Sequence, residues 1–304
     1  MSNEEPLRIE KRNGTAALTL DRPDHNNTLT PELVDRLAEA LHDADDDRSI
    51  HSITIAGAGR HFCAGYAYPD GRASSGAGMR GDETLDDDIW QLEQTQRKLL
   101  TIFDLHKPVI AVVHGACVAG GTDLALLCDL VLCTEDARFG FPATRFMGSP
   151  PMHMWLHHIG PQWAKRLLLT GDSINGTDAA ELGLVLKALP PEQLEAEVEG
   201  LTTRLSLIDP HLLAAQKRIV NLGLELMGTR TLQRLAAETD ARAHRAPAAE
   251  RFAADPLSPD ERARAWKETF GPGLARIKGP DPFDEAGRLH REPFDNPRNR
   301  EEPS

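Results

Sequence analysis

The sequence predicts an α/β core followed by a helical region, on three observations. Short apolar strands alternate with helical stretches over residues 1–190, the pattern of a sheet layer covered by helices. Val109-Ile110-Ala111-Val112-Val113 is an unbroken apolar run, as expected of a strand buried on both faces. Beyond residue 190 apolar positions recur at helical spacing and strand signals cease.

The elements follow in order. Leu7-Arg8-Ile9-Glu10 alternates, Asn13-Gly14 marks a hairpin turn, and Ala16–Leu20 resumes as a second strand. Asp21–Asn27 is a polar loop. Thr30 is placed to cap a helix with Pro31 at its first position, and Leu33, Leu37 and Leu41 carry that helix to about Asp45. A half-buried strand is expected over 50–56. Residues 57–84 hold glycines, serines and few large apolar groups, which reads as a long, mobile, functional loop. A helix is expected over 85–105, then the 109–113 strand, a glycine-bearing turn from Gly115 to Gly121, a helix over 122–128 and a strand over 130–133. Helices are expected at 162–170, 177–182, 193–206, 210–227 and 229–245, with one last short strand over 184–188. Three regions result: an α/β core over 1–190, a helical oligomerisation region over 191–250, and an extended tail over 251–304. The tail is rich in proline and charge and carries two Pro-Phe-Asp triplets that could pin Phe283 and Phe294 to the body or to a neighbouring subunit, or stay disordered.

Composition bounds the function. The chain has 304 residues, 40% apolar and 27% charged, the balance of a globular protein. No run of 18 apolar residues exists to span a membrane. The opening MSNEEPLRIEKR lacks the apolar stretch of a secretory signal. Cys63, Cys117, Cys128 and Cys133 form no CxxC pair and sit in mostly apolar surroundings, so they are expected as buried reduced thiols of a cytoplasmic protein. Against 34 basic residues stand 47 acidic ones, a formal net charge of −13, which disfavours a nucleic-acid partner. A small anionic ligand remains compatible, because a helix N-terminus binds one on an acidic protein.

Two segments carry candidate chemistry. In His114–Asp123 an apolar strand runs into glycines and opens a helix, whose first N–H groups are unpaired and carry the positive end of the dipole. Glycine lets an oxygen approach them closely. A second loop, Gly59–Tyr66, also follows a strand. Two such loops can each direct one N–H at a single oxygen and so stabilise an enolate as it forms on a thioester or ketone.

These segments resemble the crotonase family of enoyl-CoA hydratases and isomerases. The blocks are Leu20-Asp21-Arg22-Pro23, Arg60-His61-Phe62-Cys63-Ala64-Gly65, and Lys107–Gly115 followed by Gly120-Gly121-Thr122-Asp123 through Asp129. Ala137-Arg138-Phe139-Gly140, Leu169-Thr170-Gly171-Asp172 and Ala179–Val185 complete them, in family order over about residues 7–250. The resemblance implies a crotonase-like (ClpP/crotonase) spiral of ββα units with a helical C-terminal trimerisation region. It implies an acyl-CoA substrate, with no cofactor and no metal, and a homotrimer or homohexamer. It places the two N–H donors on Tyr66 and Gly120. The coenzyme A loop falls on Asp24, His25 and Asn26 and on Ala64, Gly65, Tyr66 and Ala67, with Gly121 beside it. The first of the two glutamates of the hydratases falls on Asp123, and the second on Ala143, which transfers no proton.

That departure compromises the usual two-carboxylate hydration and leaves a lyase or isomerase whose exact reaction is open. Arg145, His153, His157 and His158 follow soon after. Arg145 and His153 are auxiliary candidates, a histidine near neutral pKa serving as acid or base and Arg145 pairing with Asp123, with a substrate carboxylate or in a surface ion pair. Met152, Met154 and Trp155 read as core or acyl-pocket lining. Two alternatives stand beside this reading. One is a hydrolase of the same fold that cleaves a carbon–carbon bond of a cyclic diketone with a histidine–aspartate pair, although 141–160 holds no aspartate. The other is a non-catalytic scaffold or RNA-binding relative, against which the net charge of −13 argues.

Overall fold

The computed structural model describes residues 5–67 and 84–249. Most of the loop expected over 57–84, and the whole tail with Phe283 and Phe294, lie outside the described residues.

Nine strands form two sheets among these residues. The larger has six: β1 (Leu7–Arg12), β2 (Thr15–Leu20), β3 (Ser52–Gly57), β4 (Val109–Val113), β6 (Leu130–Thr134) and β9 (Lys187–Leu189). β1 and β2 pair antiparallel, Leu7 opposite Leu20, through the Asn13-Gly14 turn, where both residues take positive φ. All further pairs in this sheet are parallel. The smaller sheet joins β5 (Ala116–Val118), β7 (Arg138–Gly140) and β8 (Ser173–Asn175).

Helices cover the sheets. α1 (Pro31–Asp46) starts where Leu33 N–H donates to the Thr30 hydroxyl at 3.1 Å, and buries Leu33, Leu37 and Leu41 as their spacing demands. α2 (Leu85–Leu99) opens with a capping box of Thr84 and Asp87. The single helix expected over 85–105 is two: it breaks at Leu100, and α3 (Thr101–Asp104) follows. α4 (Gly120–Leu127) has every residue buried. α5 (Trp155–Thr170) begins before the expected 162–170 span, with a break at Gly160 (φ 68°) ahead of Pro161. α6 (Gly176–Leu182), α7 (Pro191–Ser206), α8 (Pro210–Leu226) and α9 (Thr229–Ala243) match the expected helices closely.

Sequence reading missed β7 and β8 and took β5 as part of a turn, because three-residue strands show no readable alternation. Trp155, Phe62 and Phe139 are fully buried between the layers. Two arrangements tie the C-terminal helices to this core. From α8, Lys217 reaches Asp129 at 2.8 Å and donates to the carbonyls of Ile102 and Lys107. α9 lies along α2, burying Leu92, Ala237 and Ala241. All four cysteines are buried thiols. No described helix is long and apolar enough to cross a membrane.

Candidate active site

Backbone hydrogen bonds bring three loops together. Cys63 N–H donates to Ala116 O at 3.0 Å and Val118 N–H to Cys63 O at 3.1 Å, so the loop after β3 pairs with β5. Leu29 N–H donates to Gly65 O, Ala67 N–H to Leu29 O, and Ala64 N–H to Asn26 O. The Asn27 side chain locks this arrangement: it accepts from Arg22 N–H and donates to the carbonyls of Ala58 and His61 at 2.8 and 2.7 Å. Asp24 and His25 lie in a single 3-10 turn that ends at Asn26, whose carbonyl meets Ala64.

The candidate donors meet where these loops cross. A Cβ on Gly65 (φ +116°) would lie 3.1 Å from Ala119 Cβ and 3.5 Å from the Gly120 amide nitrogen. A Cβ on Gly120 would lie 2.7 Å from the Tyr66 ring, so a side chain there must push that ring aside. Gly121 is equally confined, a Cβ there falling 2.3 Å from Cys63 O. Ala119, the residue before α4, holds φ 49°, a left-handed conformation that costs a non-glycine residue about 1–3 kcal/mol.

Asp123 stands in the first turn of α4, 2% exposed. Its Oδ2 accepts from the Tyr66 hydroxyl at 3.2 Å and its Oδ1 from Met152 N–H at 3.4 Å. Burial pushes its carboxyl well above the usual range, and the nearby Asp240 pushes it further, against these two hydrogen bonds. The Tyr66 hydroxyl is raised by burial and by the same two carboxylates.

The other expected residues divide. Ala143 sits in a 3-10 turn, Pro142–Arg145, and packs against the core. Arg145 does not pair with Asp123: it binds Asp172 Oδ1 at 2.8 Å and donates to Thr170 O, in a partly buried ion pair that Arg166 shares. His158 binds Leu126 O and His157 binds the Thr229 hydroxyl, so both hold structure. His153 takes φ 43° and its Nδ1 is buried with no partner among the described residues, while burial lowers its pKa. The described residues hold no cluster suited to a metal ion.

Three groups were missed: Asp88 on α2, Asp240 on α9 and His244 just after it, buried together behind the Gly148–Ser149 backbone. Their signal was present. Gln233, Asp240 and His244 fall on the stripe of α9 that carries Ala237 and Ala241, so polar residues occupy its buried face. A groove of about 390 Å³ between α2 and α9 lies apart from Asp123, with Gln96 on its wall donating to Pro151 O.

Comparison with known proteins bears on the family and the fold. The family model described as enoyl-CoA hydratase/isomerase matches residues 10–252. Hydroxycinnamoyl-CoA hydratase-lyase of Pseudomonas fluorescens is 30% identical over 216 residues, covering 69% of this chain and 76% of its own. A peroxisomal Δ(3,5)-Δ(2,4)-dienoyl-CoA isomerase of Arabidopsis thaliana is 29% identical, covering 62% and 70%. A crystal structure of an enoyl-CoA hydratase from Mycobacterium smegmatis superimposes with a TM-score of 0.77 at 31% identity, over 90% of this chain and 93% of that one.

Proposed function

Since this chain belongs to the enoyl-CoA hydratase/isomerase family, we propose that it binds an acyl-CoA thioester and moves a proton through an enolate. The N–H groups of Tyr66 and Gly120 hold the enolate oxygen, and Asp123 takes up and returns the proton. The coenzyme A moiety lies along Asp24–Asn26 and Ala64–Ala67.

The observation that carries this reading is the placement of Asp123. Its buried carboxyl lies three residues after Gly120 and is bonded to the Tyr66 hydroxyl, so one acid–base group and both donors share one site. A base whose pKa is raised by burial is matched to removing a proton from a carbon next to a thioester. Donors fixed before the charge develops stabilise it without reorganisation.

Ala143 narrows the reaction. Hydration needs one group for the water and one for the α-carbon, and position 143 supplies neither. Moving a double bond needs only that a proton leave one carbon and reach another. The reading is therefore isomerisation of an unsaturated acyl-CoA, with weak hydration. The test is to assay crotonyl-CoA hydration and the shift of a β,γ-enoyl-CoA to its α,β isomer, in the wild type, Asp123→Asn and Ala143→Glu. Isomerisation that Asp123→Asn abolishes, with hydration gained in Ala143→Glu, supports the reading. Efficient hydration by the wild type, or unchanged activity in Asp123→Asn, overturns it.

A further inference from the structure

Asp240, His244 and Asp88 form a buried polar chain beside the site. Their side chains are 1%, 0% and 0% exposed. His244 Nδ1 binds Asp88 Oδ2 at 2.9 Å, and its Nε2 faces Asp240 Oδ1 at 3.6 Å. Asp240 Oδ1 also accepts Ser149 N–H at 2.7 Å. Asp240 Oδ2 is buried with no hydrogen-bond partner among the described residues. Asp88 Oδ1 is likewise buried with no partner among the described residues, so two carboxylate oxygens of this chain stay unbonded, at a cost that joining α2 to α9 does not explain.

The place of this carboxylate is as informative as its unpaired atom. A Cβ built on Gly148 would lie 3.0 Å from Asp240 Oδ1 and 3.8 Å from Ala143 Cβ. Asp240 and Ala143 therefore both lie beside the point where a side chain at position 148 would begin. A side chain at 148 would press against Asp240 Oδ1, and alanine at 143 places no carboxylate of its own there. The charge of Asp240 is felt at Asp123 and at the Tyr66 hydroxyl, the two groups bonded to each other at the site.

We propose that Asp240 is a second acid–base carboxylate of the site, serving the return of the proton to the substrate and not the water of hydration that a glutamate at position 143 would hold, with His244 and Asp88 as its positioning residues, a role that rests on the acyl-CoA reading above. Asp240 comes from the C-terminal helical region, so the site is built from both ends of the chain. The pair holds one proton, and in its reactive form that proton has passed from Asp123 to Asp240: ionised Asp123 then takes a proton from the substrate α-carbon; that C–H bond breaks and its electron pair enters the dienolate, whose oxygen the N–H groups of Tyr66 and Gly120 hold. Protonated Asp240 gives its proton to the γ-carbon; the dienolate electron pair forms the new C–H bond and the double bond moves into conjugation with the thioester. The proton now on Asp123 returns to Asp240, and nothing is consumed.

The electrostatics suit this exchange. Burial raises the Asp240 carboxyl to about 7, against the pull of His244 and the Ser149 N–H and with a push from Asp88. Near neutral pH such a group is available in both forms. Two buried carboxylates in one site resist ionising together, so the pair retains one proton. His244 is driven down by burial but held above its usual pKa by Asp88 and Asp240.

The experiment measures β,γ- to α,β-enoyl-CoA isomerisation from pH 5 to 9 for the wild type, Asp123→Asn, Asp240→Asn, Asp240→Glu and His244→Gln, with folding checked by circular dichroism and thermal unfolding. Asp240→Asn is expected to lower kcat by about 10²-fold or more with KM little changed, and Asp240→Glu to recover part of the loss. His244→Gln removes a positive charge that favours ionised Asp240, so the alkaline limb of the pH profile moves to higher pH. Wild-type kcat and pH profile in Asp240→Asn, with Asp123→Asn inactive, overturns the inference and leaves the acyl-CoA reading standing. A wild type that acts on no enoyl-CoA overturns both. Should Asp240→Asn not fold, an alkaline limb unmoved in His244→Gln overturns the inference alone.

Discussion

At the scale of single residues, glycine and alanine decide what the site can do. Gly120 faces the Tyr66 ring so closely that any side chain there displaces it. Gly120→Val is expected to fold, because the Tyr66 ring can swing where backbone could not, and to lose about 10²–10³-fold in kcat, because the added side chain displaces that ring and keeps the enolate oxygen from the residue-120 N–H, an effect as large as losing one such donor. Enoyl-CoA turnover with a circular dichroism control checks this; a folded and fully active variant removes Gly120 from the site. Much of this was legible in the sequence, since Gly65, Gly120 and Asp123 stand in motifs that fix their backbone positions. Asp88, Asp240 and His244 were not, because their chemistry comes from contact between α2 and α9, about 150 residues apart in sequence. Of the three partners the sequence left open to Arg145, the structure shows an ion pair, with Asp172, whose identity only the fold reveals.

At the scale of elements, apolar period and caps predicted α1, α2, the four central parallel strands and the C-terminal helices. Of the short strands only β9 was anticipated, three residues early at its start, whereas β5, β7, β8 and α3 were lost because they are set by tertiary pairing and not by their own patterning. The docking of α8 illustrates what no local pattern reveals. Lys217 is buried at 4% exposure and neutralises Asp129, which also accepts the N–H of Val109 at 2.7 Å at the start of β4. Lys217→Met leaves that carboxylate buried without its partner, at a cost of about 3–5 kcal/mol. Burial already raises the Asp129 carboxyl, and loss of Lys217 raises it further. The folded variant then holds a proton that the unfolded chain releases, so its stability falls as pH rises. Urea unfolding is expected to show a larger loss at pH 8 than at pH 4.5; an equal or smaller loss at pH 8 refutes the pairing.

At the scale of the whole molecule, α8 presents an apolar face that the described residues leave uncovered. Leu212, Ile219, Val220 and Leu226 are 60%, 62%, 63% and 91% exposed, and Met227 follows at 71%. An apolar stripe of this kind marks an interaction surface, and we propose that a second and third copy cover it in a trimer or a dimer of trimers. Light scattering at micromolar concentration is expected to give three or six times the chain mass of 33.4 kDa; a monomer contradicts it. The central claim is narrower: Asp123 moves the α-proton of an acyl-CoA thioester. It is tested most directly by following deuterium from heavy water into the α-carbon of an enoyl-CoA by NMR, in the wild type and Asp123→Asn. Incorporation by the wild type that slows by about 10²-fold or more in Asp123→Asn is the predicted result. No incorporation by the folded wild type, or equal rates in the two proteins, would contradict it.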